Sequence, residues 1–120
     1  LLLCVGGAMR LALVAAHSLL LEDEINVDLY QINSLWPLND QEIIAKSEKY
    51  ENIILIEEGW PSYGLGAEII TKIVENGRRE KPLVVRRIGA KTTIIPSSVD
   101  LEQHVLPSTG EIADTIRRFY

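Results

Sequence analysis

Two adjacent acids, Glu57 and Glu58, precede two closely spaced glycines, Gly64 and Gly66, in the segment Glu57–Ile69. A carboxyl pair that faces one another can share a proton and do general acid and base work. Neighbours on a strand point to opposite faces, so this pair forms no such dyad. One of the two is expected to make a buried hydrogen bond or an ion pair, with Arg86 or Arg87 as the candidate cation. A glycine-rich turn at a helix start can also cradle phosphate on bare backbone N–H groups. Here Ile69 stands where a dinucleotide fingerprint needs its third small residue. Glu57, Glu58 and Glu68 would repel a phosphate, and they complement the helix dipole instead. The turn is therefore read as structural, with an anion cradle as the alternative. Trp60-Pro61 sets an amphipathic ring on a stiff loop. That suits an interface anchor and equally suits a ring folded back over its own core.

The remaining reactive residues are sparse. A nucleophile, base and acid constellation needs a placed histidine, and the two histidines, His17 and His104, neighbour no strand-end nucleophile. Cys4 lies in an apolar run and reads as a small core residue. No ligand spacing suits zinc.

The elements that would position these residues alternate. Leu1–Val5 reads as a strand buried on both faces, closed by Gly6-Gly7. Ala8–Leu21 reads as a helix with apolar residues at nearly every angle, so its outer side is expected to meet another domain or subunit. Ile25–Ile32 alternates as a second strand. A loop over Asn33–Pro37 carries Trp36, and Asn39 or Asp40 caps a short helix through Ala45. Asn52–Ile56 is the clearest strand. A helix over Leu65–Glu75 buries Ile69, Ile70, Ile73 and Val74, and Asn76-Gly77 ends it. Leu83–Ile88 is a fourth strand. An extended arm over Gly89–Pro107 includes a short helix at Val99–His104. Gly110–Tyr120 is the last helix, capped by Ser108 or Thr109. Such alternation predicts a mainly parallel sheet with helices on both faces.

Composition narrows the function. The chain has 120 residues, 47% apolar and 24% charged, which suits one folded domain over residues 1–120. A net charge of −5 without a basic run argues against nucleic acid. The apolar stretch Leu11–Leu21 is too short to span a bilayer, so no membrane role is expected. The single cysteine excludes an internal disulfide and fits a reducing compartment. The chain lacks a starting Met and opens inside a strand, so it is expected to be part of a longer protein.

With these residues in view, the sequence resembles the C-terminal domain of the beta subunit of thiamine-diphosphate-dependent 2-oxo acid dehydrogenases, pyruvate dehydrogenase above all. Ile56–Ile69 (IEEGWPSYGLGAEI) carries the resemblance. Val27–Ile43, Val84–Pro96 and Leu106–Phe119 support it. Trp36-Pro37 stands where this family often has Arg-Pro. The resemblance implies a three-layer α/β/α domain of the transketolase C-terminal type, with a first, antiparallel edge strand missing from this chain. It implies a parent enzyme that oxidatively decarboxylates a 2-oxo acid and transfers the acyl group to lipoyl groups. Thiamine diphosphate and Mg would belong to that parent and not to this domain alone. No catalytic or cofactor residue is carried over.

The implied role is assembly. The implied partners are an alpha subunit, a second beta subunit and the subunit-binding domain of the dihydrolipoyl acyltransferase. Trp60, Pro61, Tyr63, Gly64 and Gly66 are the subunit-interface candidates, and Glu80 and Tyr120 the acyltransferase-docking candidates. The compartment would be bacterial cytoplasm or mitochondrial matrix. The competing readings are a stand-alone scaffold and an anion-binding module on the same fold.

Overall fold

The central strand, β3 (Asn52–Ile56), is buried from Ile53 onward, as expected of β-branched residues covered on both faces. A computed structural model describes residues 1–119. β1 (Leu2–Val5) lies beside β3, β2 (Leu29–Ile32) flanks β1, and β4 (Val84–Ile88) flanks β3. All three pairings are parallel, with Leu2 opposite Leu29 and Ile54, and Ile54 opposite Arg86. β4 ends the sheet, with Arg86 and Arg87 exposed.

Side-chain alternation divides the core into two layers. Leu2, Cys4, Ile54 and Ile56 meet Ala8, Ala12, Ala15 and Leu19 of α1 (Ala8–Asp23) and Ile112, Ala113 and Ile116 of α5 (Thr109–Arg117). Leu3, Ile53 and Leu55 meet Ile43 of α2 (Asp40–Ser47) and Ile69 and Ile73 of α3 (Leu65–Asn76). The result is the expected α/β/α sandwich, with a short α4 (Val99–Glu102) in the arm after β4. Alanines line the inner face of α1, so its axis can approach the sheet closely. Each fully buried Ile or Leu contributes about 1.5–3 kcal/mol.

Local chemistry sets the helix ends. The Asn39 side chain accepts from the Glu42 N–H, and the Ser108 hydroxyl accepts from the Glu111 N–H at 3.1 Å, which makes Ser108 the cap of α5. α1 stops at Glu24 in the left-handed conformation (φ 56), and the Ile25 N–H reaches back to the Leu19 carbonyl. That turn absorbs Ile25 into the α1 core, so the strand predicted over Ile25–Ile32 is regular only over Leu29–Ile32. The Leu2 N–H bonds the Asp28 carbonyl at 2.8 Å, just ahead of the regular pairing at Leu29. Val74, predicted to be buried, is exposed, because the inward stripe of α3 centres on Ile69 and Ile73. The last helix ends at Arg117, where the guanidinium turns to Asp23 at 2.7 Å.

Cys4 is fully buried, and burial pushes its thiol up to about 11. A protonated, enclosed thiol is a poor nucleophile. At neutral pH an aromatic disulfide reagent is expected to modify Cys4 only at the rate of unfolding. Rapid modification of the folded chain would contradict this placement.

Candidate functional site

The carboxyl ends of β1 and β3 lie side by side, and the helices after them leave on opposite faces of the sheet. That arrangement opens the crevice in which doubly wound sheets hold ligands. Here the chain's own acids fill it. Glu57 is 4% exposed, and its Oε1 accepts the Gly66 N–H at 3.2 Å, at the start of α3. A Cβ on Gly66 would stand 2.6 Å from that oxygen, and one on Gly64 would stand 2.9 Å from both carboxyl oxygens. A Cβ at Gly64 would first meet the Trp60 carbonyl and one at Gly66 a Leu55 methyl, so both glycines are needed for the turn to close over the Glu57 carboxyl. Glu58 points the other way, over Gly6-Gly7 at the start of α1, where a Cβ on Gly7 would lie 2.5 Å from its Oε1. Gly6 takes a left-handed φ of 61, so this turn needs glycine on conformational grounds as well. α1 has no side-chain cap of its own, and the Glu58 carboxyl complements its amino-terminal dipole.

Neither of the arginines predicted as partners pairs with Glu57 or Glu58. Arg87 donates to the Pro61 carbonyl. Arg86 donates to the Val85 carbonyl, and its guanidinium stands 5.8 Å from the Phe119 ring centre. Edge strand β4 turns both outward, so the partner of Glu57 is a backbone N–H and not a cation. The seat of Glu58 was not foreseen, although Gly6-Gly7 after one apolar strand repeats the logic of Gly64 and Gly66 after another. Beside Glu58 lies an open cavity of about 520 Å³ bordered by Arg10, Gln103, Leu106 and Ser108, which periodicity alone does not reveal.

Among the interface candidates, Trp60 satisfies both of its readings in part. Its Nε1 donates to the Thr93 carbonyl at 3.0 Å, while 45% of the residue stays exposed. The Ala90 N–H bonds the Gly59 carbonyl at 2.8 Å, and Gly89 sits against Pro61, so the arm after β4 braces the loop. Tyr63 is fully exposed with a φ of 60, a region that bulky residues seldom occupy. Gly64 is half-buried, and Gly66 is buried inside the domain. Trp36, Ile94 and Ile95 add exposed apolar surface in loops at this same end of the sheet. A second apolar surface is the outer side of α1, where Leu13, Val14, Leu20 and Leu21 are each at least half exposed.

The docking candidate Glu80 is exposed and borders a cavity of about 280 Å³ near the opposite end of β3. Its basic neighbours are engaged elsewhere. Arg79 donates to the Ser47 and Tyr50 carbonyls, and Lys81 pairs with Glu51 at 2.7 Å. Tyr120 lies outside the described residues. His17 is exposed, and His104 Nδ1 contacts the Asp100 carbonyl.

The crevice does not suit a diphosphate, because each helix start that faces it carries an acid. Among the described residues no cluster of His, Cys, Asp and Glu suits a metal ion, and no helix is long and apolar enough to cross a membrane.

Residues 1–112 match the family model for the transketolase C-terminal domain. The chain belongs to the transketolase C-terminal domain family. Relatives of this domain include the mitochondrial pyruvate dehydrogenase E1 component subunit beta of Pisum sativum, 32% identical over 95% of this chain and 30% of that protein. The corresponding subunit of Rickettsia bellii is 29% identical over 92% of this chain and 34% of that protein. That of Drosophila melanogaster is 30% identical over 89% of this chain and 29% of that protein. The chain thus spans about a third of the length of these relatives. A solved structure titled as a split-gene transketolase, inactive beta4 tetramer, matches with a TM-score of 0.78 over 98% of this chain and 37% of that one. At 18% identity that likeness speaks to the fold. The α/β/α frame is that of the family's fold, and the Glu57–Gly66 turn lies beyond the carboxyl end of its strand β3.

Proposed function

We propose that this chain is the C-terminal assembly domain of the beta subunit of a thiamine-diphosphate-dependent 2-oxo acid dehydrogenase, pyruvate dehydrogenase in particular. It mediates subunit contact, and chemistry is left to other parts of the enzyme. One observation carries this reading. The crevice that would hold a ligand is closed by Glu57, while apolar surface remains open on the Trp60 loop and on α1. The similarity to pyruvate dehydrogenase beta subunits supplies the parent reaction: oxidative decarboxylation of a 2-oxo acid, with acyl transfer to lipoyl groups. In that parent, thiamine diphosphate and Mg are bound away from this domain. Trp60, Pro61, Tyr63 and Gly64 form the surface for an alpha subunit or a second beta subunit. Glu80 and Tyr120 receive the acyltransferase's subunit-binding domain. The enzyme works in bacterial cytoplasm or in the mitochondrial matrix.

Mass measurement in solution tests the reading, on the chain alone and mixed with a pyruvate dehydrogenase alpha subunit. A mixed complex is expected, with no change in tryptophan fluorescence when thiamine diphosphate is added to the chain alone. Thiamine diphosphate binding or 2-oxo acid turnover by the chain alone would overturn it. Tyr63 separates contact from folding. Tyr63→Gly relieves a left-handed φ, so the thermal midpoint is expected to hold or to rise by the equivalent of up to about 1 kcal/mol. The same change is expected to lower the fraction of mixed complex.

A further inference from the structure

Among the asparagines of the chain, only Asn76 is followed by glycine; Asn26, Asn33, Asn39 and Asn52 precede Val, Ser, Asp and Ile. The asparagine amide is thermolabile, because the next backbone nitrogen can attack it from within the chain, where proximity stands in for concentration. Glycine in that next position has no Cβ to hinder the approach. The fold keeps this pair in place. Asn76 is the last residue of α3 and is exposed. A Cβ on Gly77 would stand 2.5 Å from the Ile73 carbonyl oxygen, so the helix end demands glycine there. While the helix is closed, both reacting groups are occupied. The Gly77 N–H bonds the Ile73 carbonyl at 3.0 Å, and Asn76 Nδ2 donates to the Lys72 carbonyl at 3.1 Å. Just beyond, the chain is clasped to the end of α2. The Arg78 N–H bonds Glu48 Oε1 at 2.7 Å, and the Arg79 guanidinium donates to the Ser47 carbonyl at 2.9 and 3.0 Å and to the Tyr50 carbonyl.

We propose that Asn76-Gly77 is a site of spontaneous covalent modification, gated by the last turn of α3, and that its isoaspartyl product releases the Arg78–Arg79 clasp from α2. When the turn opens, base takes the proton from Gly77 N, and that nitrogen attacks Asn76 Cγ. The N–Cγ bond forms, the Cγ–Nδ2 bond breaks, and Nδ2 takes up a proton and leaves as ammonia. The product is a cyclic imide. Water then opens the ring at either carbonyl. One route gives aspartate. The other gives isoaspartate, in which the backbone runs through the former side chain and is longer by a methylene. Water and base are the only co-reactants. Either product puts a carboxylate at the carboxyl end of α3, where the helix dipole opposes it. Only isoaspartate also lengthens the chain between α3 and the clasp, so that Arg78 and Arg79 no longer fall opposite Glu48, Ser47 and Tyr50. The gate follows from position, since helix ends open at far lower free energy than the core. None of this depends on the assembly reading.

The test ages the 120-residue chain in warm, mildly alkaline buffer, both folded and in urea. Peptide mapping, with an isoaspartyl methyltransferase as the probe, locates the change. Asn76 is expected to convert ahead of every other asparagine, roughly tenfold more slowly in the folded chain than in urea. Asn76→Gln is expected to abolish conversion at position 76 with far-UV dichroism unchanged. Asn76→Asp supplies the charge without the added length. Trypsin is expected to cut after Arg79 about tenfold faster in the isolated isoaspartyl form than in N76D, because the guanidinium must leave its two carbonyls before cleavage. A folded chain that keeps its amide at position 76, or that converts first at Asn33 in the exposed loop after β2, overturns the site. Equal rates folded and in urea overturn the helix gate. Equal cleavage of the isoaspartyl form and N76D overturns the release of the clasp.

Discussion

Gly66→Ala is expected to destabilise the domain by about 3 kcal/mol. Helix propensity alone points the other way, since alanine beats glycine inside a helix by about 1 kcal/mol. Packing reverses the sign. A Cβ at Gly66 would collide with a Leu55 methyl and stand 2.6 Å from Glu57 Oε1. Both neighbours are buried, and Leu55 is locked in the central strand, so neither can yield cheaply. Thermal unfolding should show a midpoint lower by roughly 10–15 °C for a domain of this size. Gly110 provides the contrast. A Cβ there meets only the Ser108 hydroxyl, at 4.0 Å. Gly110→Ala should therefore hold or raise the midpoint. Equal effects at the two glycines would show that the Glu57 seat is looser than described.

Glu57→Ala is the second large effect, at about 2–3 kcal/mol. It leaves the Gly66 N–H without its acceptor and opens a void at a buried helix start. Glu57→Gln keeps an oxygen at that distance and most of the volume, so its cost should be about 1 kcal/mol. The void left by alanine has the shape of a carboxyl group against backbone N–H. Added formate should therefore raise the midpoint of Glu57→Ala and leave the unsubstituted chain unmoved. The two positions also couple. In E57A/G66A the clash with the carboxyl disappears while the Leu55 clash remains, so the combined loss should fall short of the sum. Additive losses would place the two residues in separate environments.

The sheet was legible in sequence because continuous apolar runs have one solution in a small α/β domain. Leu1–Val5 and Asn52–Ile56 can be buried on both faces only at the centre, and that is where β1 and β3 lie. Ser108 and Gly77 marked helix ends through chemistry that acts within one turn. Long-range outcomes were harder to read. The start of β2 depends on the turn that draws Ile25 into the α1 core, which does not show in the alternation of Ile25–Ile32. The partner of Glu57 depends on the path of the loop back to Gly66, whereas a sequence shows only that nearby arginines carry the opposite charge. Adjacent positions on a strand did foretell that Glu57 and Glu58 would part to opposite faces. What each would then find required the chain to be folded.

The lateral boundary of the sheet has a consequence for solubility. β4 leaves one row of backbone groups unpaired, an open template on which a foreign strand can grow into a fibril. Arg86 and Arg87, adjacent and exposed, place a cation on each side of that row. An in-register stack of copies would pile guanidinium on guanidinium at every layer. Neither side chain pairs with Glu57 or Glu58, and their like charge opposes edge-to-edge stacking of crowded molecules.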